Sequence, residues 1–182
     1  MSDGIRGPLI IIDNFLSADQ CQAAIEYGMQ FPSRAAGIGE GEINEEIRKN
    51  LIYNMPSNRG VPAMMTGAAF DANWDVFKFD ITHVEQSDLL EYGPTGHFER
   101  HMDCYLRKND DSMRKLTSLI ILNDQYEGGE LTIYHQQGSA TLTSADMGSL
   151  LIFPSYVEHK VAPVTSGVRY TLVNWLLGPS LV

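Results

Sequence analysis

The chain has 182 residues, with 13 Lys and Arg against 23 Asp and Glu, for a net charge of −10. Hydrophobic residues make up 43%, which is enough for one packed core and too much for a disordered tail. No apolar run reaches the roughly 18 residues that a transmembrane helix needs. A surface this acidic repels nucleic-acid phosphates and anionic lipid heads, so neither nucleic acid nor membrane is an expected partner.

In chain order, Leu9 to Ile12 reads as a short strand. Ser17 then opens a helix, with Gln20 at capping-box spacing, Cys21, Ala24 and Ile25 as its apolar stripe, and Gly28 as its stop. Ser33 to Gly41, with three glycines, is expected to be a mobile loop. Asn44 to Tyr53 and Pro62 to Ala72 are expected to be helices. From Trp74 onward the period changes to two. Val76 to His83 alternates, with Phe77, Phe79 and Ile81 on one side. Short strands follow at Leu116 to Leu122, Glu130 to His135, Ser149 to Phe153, Val157 to Val161 and Val168 to Leu176. Helices first and strands later predict a mostly β fold with flanking α, a jelly roll with N-terminal helices packed on one side. One domain over 1–182 is expected, with 1–73 as helical support and loop and 74–182 as the β core. Cys21 and Cys104 form neither a metal motif nor a disulfide framework, and no secretory signal is visible, so a cytoplasmic location is expected.

The chemistry centres on five histidines: His83, His97, His101, His135 and His159. Two begin a His-x-acid triplet, His97-Phe98-Glu99 and His101-Met102-Asp103. On a strand, positions i and i+2 face the same way, so an imidazole and a carboxylate can converge on one metal ion. The bland alternative is a polar strand edge. A third ligand from a distant strand would complete a 2-His-1-carboxylate face, which suits non-heme Fe(II) and leaves three positions open. His159 lies on such a strand. Arg169 follows on the returning strand and shares parity with Val173 and Trp175. An inward arginine needs an anion, either a structural carboxylate or a dicarboxylate cosubstrate gripped by two parallel hydrogen bonds.

The stretches Tyr92-Gly93-Pro94-Thr95-Gly96-His97-Phe98-Glu99-Arg100-His101-Met102-Asp103, Leu116 to Asp124 with Glu127-Gly128-Gly129-Glu130-Leu131, and Leu151-Ile152-Phe153-Pro154 through His159 to Arg169 and Trp175 resemble the Fe(II)- and 2-oxoglutarate-dependent oxygenases of the prolyl 4-hydroxylase type. A weaker match is Ile11 to Ser17 followed by Cys21. The resemblance implies a double-stranded β-helix. It implies His101, Asp103 and His159 as iron ligands, and Arg169 and Tyr92 as holders of 2-oxoglutarate. It favours His101/Asp103 over the rival pair His97/Glu99, whose side chains share the same parity on a regular strand. His83 and His135 match no ligand position. Trp175 and Phe153 are candidate pocket walls, with core the expected role of Phe153. Some relatives carry a second cosubstrate tyrosine where this chain has Ile121, so that contact must be absent or come from elsewhere.

The implied reaction is hydroxylation of an unactivated C–H bond with O2 as cosubstrate, releasing succinate and CO2, with ascorbate as a stimulant. The implied acceptor is proline in a peptide or protein. Segments 33–41 and 47–59 are either cover for the site or ordinary surface segments. A free amino acid or other small molecule is the alternative acceptor. A non-catalytic metal-binding sensor or binding module on the same barrel is the alternative of a different class.

Overall fold

Two unbroken apolar runs, Leu119 to Leu122 and Leu150 to Phe153, ask for strands covered on both faces. The computed structural model, which describes residues 9–38, 41–104, 111–135, 138–142 and 145–180, provides them. Its elements are β1 (Ile10–Ile12), α1 (Ala18–Gly28), β2 (Ser33–Ala35), β3 (Arg48–Lys49), β4 (Leu51–Met55), α2 (Gly60–Ala72), β5 (His83–Val84), β6 (Ser87–Tyr92), β7 (His97–His101), β8 (Ser112–Ile121), β9 (Tyr126–Gly128), β10 (Leu131–His135), β11 (Gly138–Leu142), β12 (Leu150–Pro154), β13 (His159–Val161), β14 (Val164–Gly167) and β15 (Arg169–Pro179).

The main sheet runs β1-β12-β8-β15-β6-β4-β2, with β5 also paired to β15. The second sheet runs β11-β10-β13-β7-β3, and β14 pairs with β9 as a ribbon. Between the two sheets lies the core. Leu119, Ile121, Leu151, Phe153 and Val173 of the main sheet share it with Leu131, Ile133 and Val161 of the second. The alternate residues Ile120, Leu122, Leu150, Ile152 and Leu172 point the other way and pack with Cys21, Ala24 and Ile25 of α1 and Met65 of α2. The apolar runs are unbroken because both faces are buried, at about 1.5–3 kcal/mol per large side chain. This is the expected double-stranded β-helix with helices on one side.

The capping box on α1 forms as its spacing predicts. Gln20 N donates to Ser17 Oγ at 3.3 Å, and Ser17 N donates to Gln20 Oε1 at 2.9 Å. Gly28 does more than end this helix, because a Cβ there would lie 2.5 Å from Leu89 Cδ2 of β6. The helix therefore rests directly on the sheet.

Several local expectations need correction. The 44–53 segment is not a helix: it holds β3 and the start of β4. β4 pairs with β6 from Leu51↔Glu91 to Met55↔Ser87. Ile52 faces the inter-sheet core while Tyr53 and Met55 face the helices, so tertiary pairing overrides local propensity. In the 33–41 segment, Ser33–Ala35 pair with β4 as a strand and Ala36 is buried, while residues 39 and 40 lie outside the described set. The 76–83 segment is not a strand until His83. A π-helical turn over Asn73–Phe77 ends at Lys78 in the left-handed region (φ 60°). The Asn73 side chain then bonds the backbone N and O of Phe79, both at 2.9 Å. Phe77, Phe79 and Ile81 still pack on a cluster of Ala69, Leu116 and Leu176, so the alternation reported burial rather than conformation. Strand β6 escapes the apolar pattern because Ser87, Asp88 and Glu91 interrupt it. The first 73 residues are not only helical support, since they also give β1, β2 and β4 to the main sheet and β3 to the second.

Candidate metal and carboxylate site

Strands β7 and β13 build the first half of the site. They pair at His159↔His101 and at Val161↔Phe98, so three steps on β7 oppose two on β13. This bulge resets the strand's parity. Phe98 and His101 come to one side, their rings stacked with centroids 3.4 Å apart. His97 and Glu99 are left out of the cluster. The ring nitrogens of His97 lie 2.9 Å from Thr95 O and 3.1 Å from Glu46 O, and Glu99 pairs with Lys160 Nζ at 2.7 Å. The shared parity of all four side chains, expected for a regular strand, is therefore not realised, and the rival pair is not assembled. His83 is exposed beside the Thr82 hydroxyl. His135 ends β10, and its side chain lies outside the described set.

His101, Asp103 and His159 bring one ligand atom each to within 4.8 Å of one another, the grouping able to hold a metal ion among the described residues. His101 Nε2 is 3.6 Å from Asp103 Oδ1, and His159 Nε2 is 3.7 Å from Oδ2. Each ring is turned by its other nitrogen. His101 Nδ1 lies 2.7 Å from Glu99 O and His159 Nδ1 lies 3.0 Å from Val157 O, which leaves both Nε2 atoms for a ligand role. Asp103 is held as firmly. Its Oδ2 accepts from Thr117 Oγ1 at 2.8 Å and from Trp175 Nε1 at 3.0 Å. Trp175, expected as a pocket wall, lines the cavity and also orients the carboxylate. Thr117 is a site residue outside the motifs. It sits opposite Trp175 in the β8–β15 register, and that pairing, which no local motif marks, brings both donors to the same carboxylate oxygen.

Burial alone would raise the Asp103 carboxyl. The charges of His159, His101 and Arg114 outweigh it and hold the group well below the usual carboxylate range. Burial pushes His159 down to about 4 against the pull of Asp103. At neutral pH the cluster thus offers an ionised carboxylate and a neutral His159, the protonation states that a divalent metal requires.

The second half of the site belongs to β15 and β6, where Arg169 faces Tyr92 in register. Arg169 is 1% exposed. Its NH1 reaches Thr171 Oγ1 only at 3.5 Å, and its Nε has no partner among the described residues. Nor does any described carboxylate form an ion pair with it. A buried, unpaired guanidinium is costly by several kcal/mol unless an anion is supplied. The tyrosine rings of Tyr92 and Tyr126 lie 5.5 Å and 6.0 Å from its Cζ. Burial pushes the Tyr92 phenol up, so it stays neutral and able to donate a hydrogen bond. Ile121 is buried in the core with nothing to donate; Tyr126, on β9, is the second tyrosine near the guanidinium. Gly129, at φ +67°, makes the close approach workable, since a Cβ there would lie 2.9 Å from Arg169 Cδ. Phe153 is core, as expected, with its ring edge on His159 at 5.2 Å.

One cavity of about 380 Å³ takes in His101, Asp103, His159, Tyr92, Arg169 and Trp175. The donor set fits a divalent metal, and the orphaned Arg169 Nε fits a carboxylate in the same space.

A family model described as the 2OG-Fe(II) oxygenase superfamily matches residues 87–177. A PKHD-type hydroxylase of Pseudomonas putida strain W619 is 38% identical over 145 residues, covering 74% of this chain and 63% of that protein. The matched stretches span 37–77% of the length of such curated relatives. A Pseudomonas putida prolyl-4-hydroxylase structure superposes with a TM-score of 0.74 at 22% identity, over 94% of this chain and 93% of that one. A Trichoplax adhaerens prolyl hydroxylase in complex with a hypoxia inducible factor peptide fragment gives 0.76 at 20% identity, over 94% and 84%. At these identities the structures speak for the fold. No described helix is long and apolar enough to cross a membrane.

Proposed function

The chain belongs to the 2OG-Fe(II) oxygenase superfamily, and on that premise we propose that it hydroxylates proline in a peptide or protein, with O2 as cosubstrate and succinate and CO2 as coproducts. The observation that carries this reading is the pairing, in one cavity, of the His101–Asp103–His159 cluster with a buried arginine that has no carboxylate partner among the described residues. His101, Asp103 and His159 hold Fe(II). Arg169 grips the distal carboxylate of 2-oxoglutarate through two parallel hydrogen bonds, and Tyr92, with Tyr126 nearby, supports it. When bound, the iron and keto acid supply the oxidising chemistry; the protein's share is binding, orientation and a dry site. Ascorbate stimulates turnover by keeping the iron reduced.

Two rim residues favour a polymeric acceptor over a small molecule. Ile47 and Met102 line the cavity and are 38% and 51% exposed, which leaves its mouth open. Residues 1–182 act as a single oxygenase domain, a reading supported by β1, β2 and β4 joining the same sheet as β15. The test is incubation with Fe(II), 2-oxoglutarate and proline peptides, with hydroxyproline and succinate measured by mass spectrometry. Equimolar formation of both supports the proposal. Succinate formed only with free amino acids moves the acceptor to the small-molecule class. Binding of both cofactors with no succinate under any condition favours a sensor.

A further inference from the structure

Four of the eight arginines of this acidic chain line the one cavity: Arg34, Arg48, Arg114 and Arg169. The cosubstrate accounts for Arg169. Arg114 is engaged by Glu85, with Nε at 2.8 Å and NH2 at 2.6 Å from Oε2, and lies 3.6 Å over the Trp175 ring. Arg34 and Arg48 are different, because neutral oxygens hold them. Arg34 Nε donates to Asn54 Oδ1 at 3.3 Å. Arg48 Nε donates to Asn50 Oδ1 at 2.9 Å and its NH1 to Gly37 O at 3.2 Å. Neither forms an ion pair with a described carboxylate. A guanidinium carries five N–H donors, so Arg48 keeps donors in reserve at the cavity wall.

Arg48 is also placed close to the chemistry. Its Cζ lies 4.4 Å over the Phe98 ring, whose other neighbour is the His101 ring at 3.4 Å. The guanidinium is thus separated from the metal cluster by one aromatic ring. Asp88 lines the same cavity and offsets part of the charge, but its Oδ1 is engaged by Asn54. Glu85 and Asp88 together offset two of the three guanidinium charges of Arg34, Arg48 and Arg114, which leaves one positive charge on this wall of the cavity.

We propose that Arg48, assisted by Arg34, binds a carboxylate of the acceptor, so that the substrate is an acidic peptide. This rests on the proline-peptide reading and narrows it. The carboxylate is either an Asp or Glu side chain near the target residue or the peptide's own C-terminus.

The test is anaerobic calorimetric titration of the protein loaded with Fe(II) and 2-oxoglutarate. The probes are alanine-based heptapeptides with a central proline. One flanking position at a time is Asp or Asn, and the C-terminus is free or amidated. A charge-assisted fork predicts about tenfold or tighter binding of an acidic peptide over its amide twin. Dependence on a flanking Asp assigns the side chain, and dependence on the free C-terminus assigns the terminal carboxylate. Arg48→Gln removes the preference by weakening only the acidic member, Arg48→Lys retains part of it, and 2-oxoglutarate affinity stays within about twofold in both. Equal binding within every pair, or a preference that survives in Arg48→Gln, overturns the inference. Neutral proline peptides hydroxylated without acidic preference keep the proposed function and overturn the inference. Acidic peptides held through Arg48 but never hydroxylated keep the inference and overturn proline as the acceptor. No binding by any peptide overturns both.

Discussion

The two ends of the cavity are finished to different degrees. At the metal end, Asp103 Oδ2 already takes two hydrogen bonds, and both histidine rings are turned by backbone carbonyls. At the arginine end, Arg169 is buried with an Nε that has no partner among the described residues, and Arg48 rests on neutral oxygens. The protein fixes directions where geometry decides the chemistry, and it leaves hydrogen-bond donors open where a ligand's carboxylate is to complete the structure.

Breaking the metal end outright has the largest expected effect. His101→Ala or Asp103→Ala removes metal binding, a loss of more than about 1,000-fold in affinity by calorimetry, since one of only three protein ligands is gone. His97→Ala leaves metal affinity within about twofold, because that ring faces backbone carbonyls. The reverse ranking would move the site to the other triplet. At the arginine end, Arg169→Gln raises the 2-oxoglutarate dissociation constant about 100-fold while metal affinity stays within a few-fold, measured by separate titrations. An unchanged keto-acid affinity would make Arg169 structural.

The next effect is on stability and sharpens the account of His159. Its pKa in the folded, metal-free protein is lowered to about 4 by burial, against 6.5 unfolded. Between those values the unfolded chain binds a proton that the folded chain refuses, so stability rises with pH there. The contribution is complete above pH 6.5 and is lost as pH falls toward 4. Urea unfolding at pH 7 and at pH 4.5 should show a difference about 2–3 kcal/mol smaller in His159→Gln than in the native chain. An identical pH dependence would refute the burial argument. The smallest effect is on orientation. Trp175→Phe keeps the ring's bulk and removes one hydrogen bond from Asp103, lowering metal affinity about tenfold with no change in fold by circular dichroism. No change would leave Trp175 as a wall alone.

How much of this was legible follows from where the causes lie. The β8, β12 and β15 strands are readable because their apolar runs are local in sequence, and so is the capping box of Ser17 and Gln20. The grouping of His101, Asp103 and His159 is readable because His101 and Asp103 are neighbours and His159 sits on a late strand. What sequence hides is set by partners far away in the chain. The bulge that separates His101 from His97 arises from pairing with β13 across some 60 residues, and period-two reasoning assumes it away. Strands β3 and β4 look helical until β7 and β6 pair with them. Thr117 and Arg48 carry no motif; only register and stacking bring them to the site.

A cavity that holds a metal at one end and a keto acid's carboxylate at the other must bind the two together. The most direct test is an anaerobic titration of Fe(II) into metal-free protein with 2-oxoglutarate present, read in the visible. A metal-to-keto-acid charge-transfer band is expected, lost in His101→Ala and appearing only at much higher 2-oxoglutarate in Arg169→Gln. Metal binding without that band would contradict joint binding in the cavity.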